Sequence, residues 1–238
     1  MRNIAILRDG LSDFYVIRKF LQSIFKKHRK EELPDNCFID LDQLNIFNSL
    51  SRYLHNTSNS SNYSFTSDDS NKLLKDLIAI YYACYQKTLR VNSAISNKEI
   101  IIINSDTEKL LKDRSNYFTE WAYSINRLIY FSIEKFYEEM VKQGYNYEIL
   151  PYFIPLILFP SSEILVASCI FDISKENIRY LHPTPQLKKK VYDTESIPEA
   201  FRSGKLFKTI NTYLTEDNIN NVYKEIPEAR LLIHTLTN

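Results

Sequence analysis

The chain has 238 residues, 30 Lys and Arg against 29 Asp and Glu, and 44% apolar side chains. A net charge of +1 excludes binding of nucleic acid by bulk positive charge and leaves only a local basic stripe open. With 3 Gly and 8 Pro the chain is neither collagen-like nor a linker, and it has no glycine-rich phosphate loop. A chain of this length buries about 70% of the surface its unfolded form exposes, so its core needs no covalent staples. Cys37, Cys84 and Cys169 lie far apart with no Cys-x-x-Cys or Cys/His spacing, which suits buried thiols in a reducing compartment. Arg8 and Asp9 argue against a signal peptide, and the apolar run from Pro151 to Pro160 is too short to span a bilayer. The expectation is a cytoplasmic protein with no membrane segment.

In chain order, Asn3 to Leu7 predicts a short buried strand closed by Arg8-Asp9-Gly10. Ser12 then caps a helix whose stripe is Phe14, Ile17, Phe20, Leu21, Ile24 and Phe25, and whose last turns carry Lys26 to Lys30. Cys37 to Leu41 predicts a second strand. The Ser/Asn-rich stretch from Asn56 to Ser70 predicts a surface loop. A helix with Leu73, Leu74, Leu77, Ile78, Tyr81, Cys84 and Tyr85 on its inner face follows. The β-branched run Glu99 to Ile103 predicts a central strand covered on both faces and ended by the polar Asn104 to Glu108. The longest helix is expected from about Asn116 to Gln143, with Trp121, Ile125, Leu128, Ile129, Ile133, Phe136, Tyr137 and Met140 as its stripe and Gly144 as its stop. A last strand falls within Tyr152 to Phe159. Ser161 or Ser162 caps a helix over roughly Glu163 to Phe171, and short helices follow around Leu187, Phe201 to Leu214 and Ala229 to Leu236. Strands alternating with helices imply an α/β, Rossmann-like, mostly parallel sheet with helical elaborations and a mainly helical C-terminal part.

In such a sheet, sites form beyond the carboxyl ends of the strands. Three strand ends here carry acids: Asp9 and Asp13 after the first, Asp106 and Glu108 with Asn104 after the third, and Glu163 after the last. Oxygen donors converging from separate strands suit Mg²⁺ or Mn²⁺, which can activate water and hold a phosphate for displacement. Each acid also has a plainer reading. Asp9 is a turn residue, Asp13 and Glu163 belong to first helical turns, and Asp106 is a helix N-cap.

The segment ILRDGLSDFYVIRKFL resembles the first acidic motif of the Toprim domain, in its OLD-type nuclease form, with Asp9 in the Glu position, Gly10 matching and Asp13 in the place of the later Asp. EIIIINSDTEK is similar to that family's Asp-x-Asp strand end, with Asn104 in the first position and Asp106 in the second. FPSSEILVASCIF looks like the helix that carries a further metal-facing Glu, here Glu163, and SGKLFKTI offers Lys205 in the place of a basic residue facing the scissile phosphate. The resemblance implies a single Toprim-like domain over residues 1–238, with an α/β core over 1–171 and a helical extension over 172–238. It implies a Mg²⁺- or Mn²⁺-dependent phosphodiesterase acting on DNA or RNA, weak or partner-dependent. Asp9, Asp13, Asp106 and Glu163 would be catalytic acids and metal ligands, Asn104 and Glu108 would assist the metal, and Lys205 would steady the phosphate. Related proteins often act in anti-phage defence beside an ATPase. This chain has no P-loop, so such an ATPase would be a separate partner, and an oligomer is compatible with the resemblance. A catalytically degenerate module that binds nucleic acid or protein within a larger assembly is the alternative, because Asp9 is a methylene shorter than Glu and Asn104 keeps an oxygen ligand without a charge.

Other chemistries fit less well. A haloacid-dehalogenase-like phosphatase needs a nucleophilic Asp where Asn104 stands. A serine hydrolase needs a Gly-x-Ser-x-Gly elbow that is missing. His28, His55, His182 and His234 show no metal spacing. Lys188, Lys189 and Lys190 with Arg202 and Lys208 form a basic C-terminal cluster suited to nucleic-acid phosphates.

Overall fold

The computed structural model describes residues 4–8, 10–41, 67–91, 100–106, 122–158, 160–182, 184–194 and 197–237. The chain is α/β. Strands β1 (Ile4–Leu7), β2 (Phe38–Asp40), β3 (Ile100–Asp106) and β4 (Tyr152–Leu158) form one parallel sheet in the order β2-β1-β3-β4. Ile4 pairs with both Phe38 and Ile100, and Leu7 with Ile103. Every residue of β1 and Ile101 to Ile103 of β3 are buried, as a strand covered on both faces requires. β3 runs on to Asp106 and does not stop at the polar Asn104. Strand continuation depends on backbone pairing, and side-chain polarity does not interrupt it. Arg8 closes the end of β1 by a bidentate ion pair with Asp40 at the end of β2, both contacts at 3.0 Å, and the Leu41 amide donates to the Ile6 carbonyl.

The helices are α1 (Leu11–Arg29), α2 (Ser67–Val91), α3 (Ala122–Lys142), α4 (Glu163–Ile170), α5 (Ile178–Leu181), α6 (Thr184–Tyr192), α7 (Ile197–Arg202), α8 (Lys205–Tyr213), α9 (Ile219–Glu225) and α10 (Pro227–Thr237). α1 begins one residue before Ser12, with Gly10 at its N-cap, so Ser12 lies inside the first turn. Ser67 to Ser70 are helical, the first turn of α2. All four, Ser67, Asp68, Asp69 and Ser70, are acceptor-bearing residue types that favour a helix start over a loop end. The rest of the expected Ser/Asn loop, the first turn of the expected helix from Asn116, and Trp121 lie outside the described residues. Among the described residues no helix is long and apolar enough to cross a membrane.

The chain divides into two compact units: Met1–Asp9, Cys37–Ile103 and Arg114–Pro155 make the first, and Gly10–Asn36, Asn104–Asp113 and Leu156–Asn238 make the second. In the first, α2 packs on α3. Tyr81, Phe136 and Phe153 cluster there, edge-to-face at Phe136 and tilted between Tyr81 and Phe153, whose centroids are 4.8 Å apart. The Tyr81 hydroxyl lies 3.0 Å from Ser132 Oγ. Tyr137 donates to the Pro151 carbonyl and accepts from the Phe153 amide, so its hydroxyl ties α3 to β4. In the second unit, α1 packs against α4, α8, α9 and α10. Ser23 Oγ donates to the Leu214 carbonyl at 2.7 Å, and Tyr15, Phe201 and Phe207 form an edge-to-face cluster.

Candidate metal centre at the strand ends

The strand order reverses between β1 and β3, and open α/β sheets bind ligands beyond the carboxyl ends at such a point. Gly10 and the residues after it, Asn104–Asp113, and the chain from Leu156 onward belong to the second unit. Asp13 is the third residue of α1, and its backbone amide donates to the Gly10 carbonyl at 3.1 Å. Its carboxylate turns back to the helix start, where Oδ2 accepts from the Gly10 amide at 2.5 Å. Gly10 leaves room for this: a Cβ there would stand 3.1 Å from that same oxygen. The other oxygen, Oδ1, accepts from Ser162 Oγ at 2.5 Å.

Glu163 opens α4, and its Oε2 accepts from Ser161 Oγ at 2.7 Å. The same oxygen lies 3.7 Å from Lys188 Nζ on α6. Ser161, Ser162 and Glu163 are fully buried, and Asp13 is 1% exposed. Two carboxylates are therefore held out of water, each by one serine hydroxyl. The sequence pattern suggests these serines as helix caps. Ser162 does occupy the N-cap position, but its hydroxyl makes no cap bond and goes to Asp13 instead. A serine at a strand-to-helix turn carries no mark in the sequence that separates a cap from a carboxylate clamp.

Burial first, and then the charge of Glu163, push the Asp13 carboxyl up to about 7, against the lowering effects of Ser162, Lys188 and the Gly10 amide. A carboxyl titrating near neutrality beside a second carboxylate is poised to exchange its proton for a cation. Glu163 Oε1, Asn104 Oδ1 and Asn104 Nδ2 are buried without a hydrogen-bond partner. Asn104 follows the last β1–β3 partners, Leu7 and Ile103, and is fully buried. An unpaired buried polar atom costs about 1–3 kcal/mol. Glu163 Oε1 and Asn104 Oδ1 keep unused lone pairs, and oxygen donors are what a hard divalent cation requires. Asp13 and Glu163 thus supply buried oxygen donors of the kind that Mg²⁺ or Mn²⁺ takes.

The remaining expected residues divide clearly. Asp9, Glu108 and the side chain of Asp106 lie outside the described residues, although the backbone of Asp106 ends β3. Among the described residues no group of three or more His, Cys, Asp or Glu is gathered as for a metal ion. Lys205 begins α8, where its ammonium donates to the Asp193 carbonyl at 2.7 Å and lies 3.5 Å from the Asp193 carboxylate. Lys190 pairs with Glu176 and lies over the Phe171 ring. Lys189, Arg202 and Lys208 are exposed. Lys188, of the basic residues named from the sequence, lies against Glu163. Lys188, Lys189 and Lys190 are indistinguishable by residue type, and the phase of α6 separates them, with Leu187 and Val191 buried on either side of Lys188. No protein-family model matches the chain, no curated protein matches it, and no solved structure matches it.

Proposed function

We propose that this chain is a Toprim-like, divalent-metal-dependent phosphodiesterase acting on DNA or RNA, weak on its own or dependent on a partner protein. The observation that carries the reading is the buried pair Asp13 and Glu163, clamped by Ser162 and Ser161, with Glu163 Oε1 and both amide atoms of Asn104 unpartnered. Asp13, Glu163 and Asn104 Oδ1 would hold the cation, joined by Asp9, Asp106 and Glu108 from the sequence motifs. When bound, Mg²⁺ or Mn²⁺ supplies Lewis-acid polarisation of a phosphoryl oxygen and a water acidic enough to attack at neutral pH. The serines orient the carboxylates, and the buried setting strengthens every electrostatic contact made there. Exposed Lys189, Arg202 and Lys208 would neutralise neighbouring phosphates, with Lys188 and Lys190 beside them in the same basic cluster. A role in anti-phage defence with a separate ATPase, in the cytoplasm, belongs to the same proposal.

A second reading, a catalytically degenerate module that binds nucleic acid or protein, is favoured by two observations. Asn104 stands where a charged ligand would be, and Lys205, the expected phosphate-facing lysine, is engaged by Asp193. The two readings separate in a cleavage assay on single- and double-stranded DNA and RNA with Mg²⁺ or Mn²⁺, run on the wild type and Asp106→Ala. The phosphodiesterase reading requires metal-dependent cleavage that Asp106→Ala abolishes. Absence of cleavage with salt-sensitive binding supports the module, and equal cleavage by both proteins contradicts the catalytic assignment.

A further inference from the structure

A cleft of about 370 Å³ runs along α1 in the second unit. Lys19, Gln22, Ser23 and Lys26 recur at three- and four-residue steps, so they share one face of the helix, and that face is one wall of the cleft. Residues 32–33 make a second wall, and residues 215–217, between α8 and α9, make the third. The walls are tied to one another. Gln22 Nε2 donates to the Leu33 carbonyl at 2.8 Å and to Asp35 Oδ1 at 3.1 Å. Ser23 Oγ donates to the Leu214 carbonyl, and Lys27 Nζ donates to the Glu216 carbonyl at 3.1 Å. The cleft is thus a preformed feature, at the small end of the roughly 300–1,000 Å³ range of ligand pockets. Leu33 is the one apolar side chain of its lining, which otherwise holds two lysines and three carboxylates among uncharged polar groups. Lys26 Nζ lies 3.6 Å from Glu32 Oε1 and 3.7 Å from Glu216 Oε2, so one ammonium serves two acids. Lys19 and Asp217 have no ion-pair partner among the described residues.

We propose that this cleft binds a small free amino acid with a cationic side chain, its carboxylate paired with Lys19 and its positive groups with Asp217 and the acids that Lys26 leaves half-compensated. The charge pattern selects that class. A simple anion would face three carboxylates, and a pure amine would face two ammonium groups. A neutral amino acid would satisfy Lys19 and Asp217 and leave the excess negative charge of the lining unbalanced. A ligand with one carboxylate and two cationic groups answers all of these, and a polar cleft with little apolar surface offers nothing to a greasy one. Such a ligand would bridge α1 to both connections that it already touches. The inference is independent of the phosphodiesterase reading, since none of its residues belongs to the strand-end site.

The test is a titration of the full chain, followed by amide chemical shifts at low salt, with four probes: L-lysine, L-alanine, L-glutamate and 1,5-diaminopentane, which is L-lysine without its carboxylate. L-lysine should saturate at about millimolar concentration, with the shifts gathered at Lys19, Gln22, Ser23, Leu33 and residues 215–217. Each of the other three probes should bind at least about threefold more weakly, the weight of one partly exposed ion pair. Lys19→Gln and Asp217→Asn should each weaken L-lysine by a similar factor. Lys19→Gln should not weaken 1,5-diaminopentane, which has no carboxylate to lose, and Lys19→Arg should keep L-lysine within about twofold of wild type. Absence of saturable shifts with L-lysine overturns the inference, as do shifts gathered elsewhere in the chain. Binding of 1,5-diaminopentane or L-glutamate as tight as that of L-lysine overturns the assigned ligand class. Unchanged L-lysine affinity in both Lys19→Gln and Asp217→Asn, or a loss in Lys19→Arg equal to that in Lys19→Gln, overturns the charge pairing on which it stands.

Discussion

Ser162 and Asp13 are 149 residues apart in the chain, and their side chains meet at 2.5 Å with the hydroxyl donating to the carboxylate. That bond joins the start of α1 to the start of α4, and it is buried at both ends. Ser162→Ala removes the donor and leaves Asp13 Oδ1 without that partner in a dry site. The expected loss is about 1–3 kcal/mol in chemical denaturation. The carboxyl of Asp13 should also titrate higher, because this hydrogen bond favours its charged form. A loss close to zero would mean the bond is not made in solution.

Asp13 imposes a pH dependence whose sign follows from its raised value. Its ordinary carboxyl value near 3.8 rises to about 7 in the fold. The unfolded chain releases this proton first, so the contribution is fully present below about pH 4 and is lost as pH rises through about 7. Metal-free stability at low salt should therefore fall over that window by on the order of 4 kcal/mol from this group. Asp13→Asn, which stays neutral, should flatten the slope, and Mn²⁺ should restore stability to the wild type above pH 7. Denaturant midpoints at a series of pH values, with and without Mn²⁺, check all three expectations.

Asn104→Asp supplies a charged oxygen at the position where the resembled Asp-x-Asp motif has its first acid. In the absence of metal it places a third acid in a fully buried position, so it should destabilise the fold by about 2 kcal/mol or more. In the presence of Mn²⁺ the same variant should bind the ion more tightly than wild type. Thermal melts with and without Mn²⁺ read both effects, and a variant destabilised to the same degree under both conditions would show that Asn104 does not face the cation.

Arg8 and Asp40 make a separate prediction. Arg8 is 5% exposed and its guanidinium is held bidentately by Asp40. Asp40→Ala removes that carboxylate from a buried guanidinium and should cost about 2–4 kcal/mol, because the partner charge stays behind. Chemical denaturation of Asp40→Ala measures it, and a change below about 0.5 kcal/mol would place the pair among surface ion pairs of little weight.

Much of the fold can be read directly from residue type. The four-isoleucine run of β3 and the stripes on α1 and α3 are periodic over long enough stretches for local pattern to coincide with burial. The site is less accessible to that kind of reading. Asp13 and Glu163 stand out as acids after strands, but their clamps are ordinary serines whose partners are chosen by tertiary structure. Lys188 differs from Lys189 and Lys190 only in its angle around α6. Lys205 matches a motif by its place in the chain, yet Asp193 engages its charge. Sequence spacing carries the positions of strand ends well, and it carries almost nothing about which of two neighbouring side chains faces inward across a contact made from a distant segment.

The central claim is that the carboxylate pair at the strand ends is a cation site. Anomalous diffraction from a crystal soaked in Mn²⁺ tests it most directly. The account predicts one strong peak with Asp13, Glu163 and Asn104 oxygens at about 2.1–2.6 Å. A soaked crystal with Asp13 still bonded to Ser162 and no peak beside Asp13 and Glu163 would contradict it.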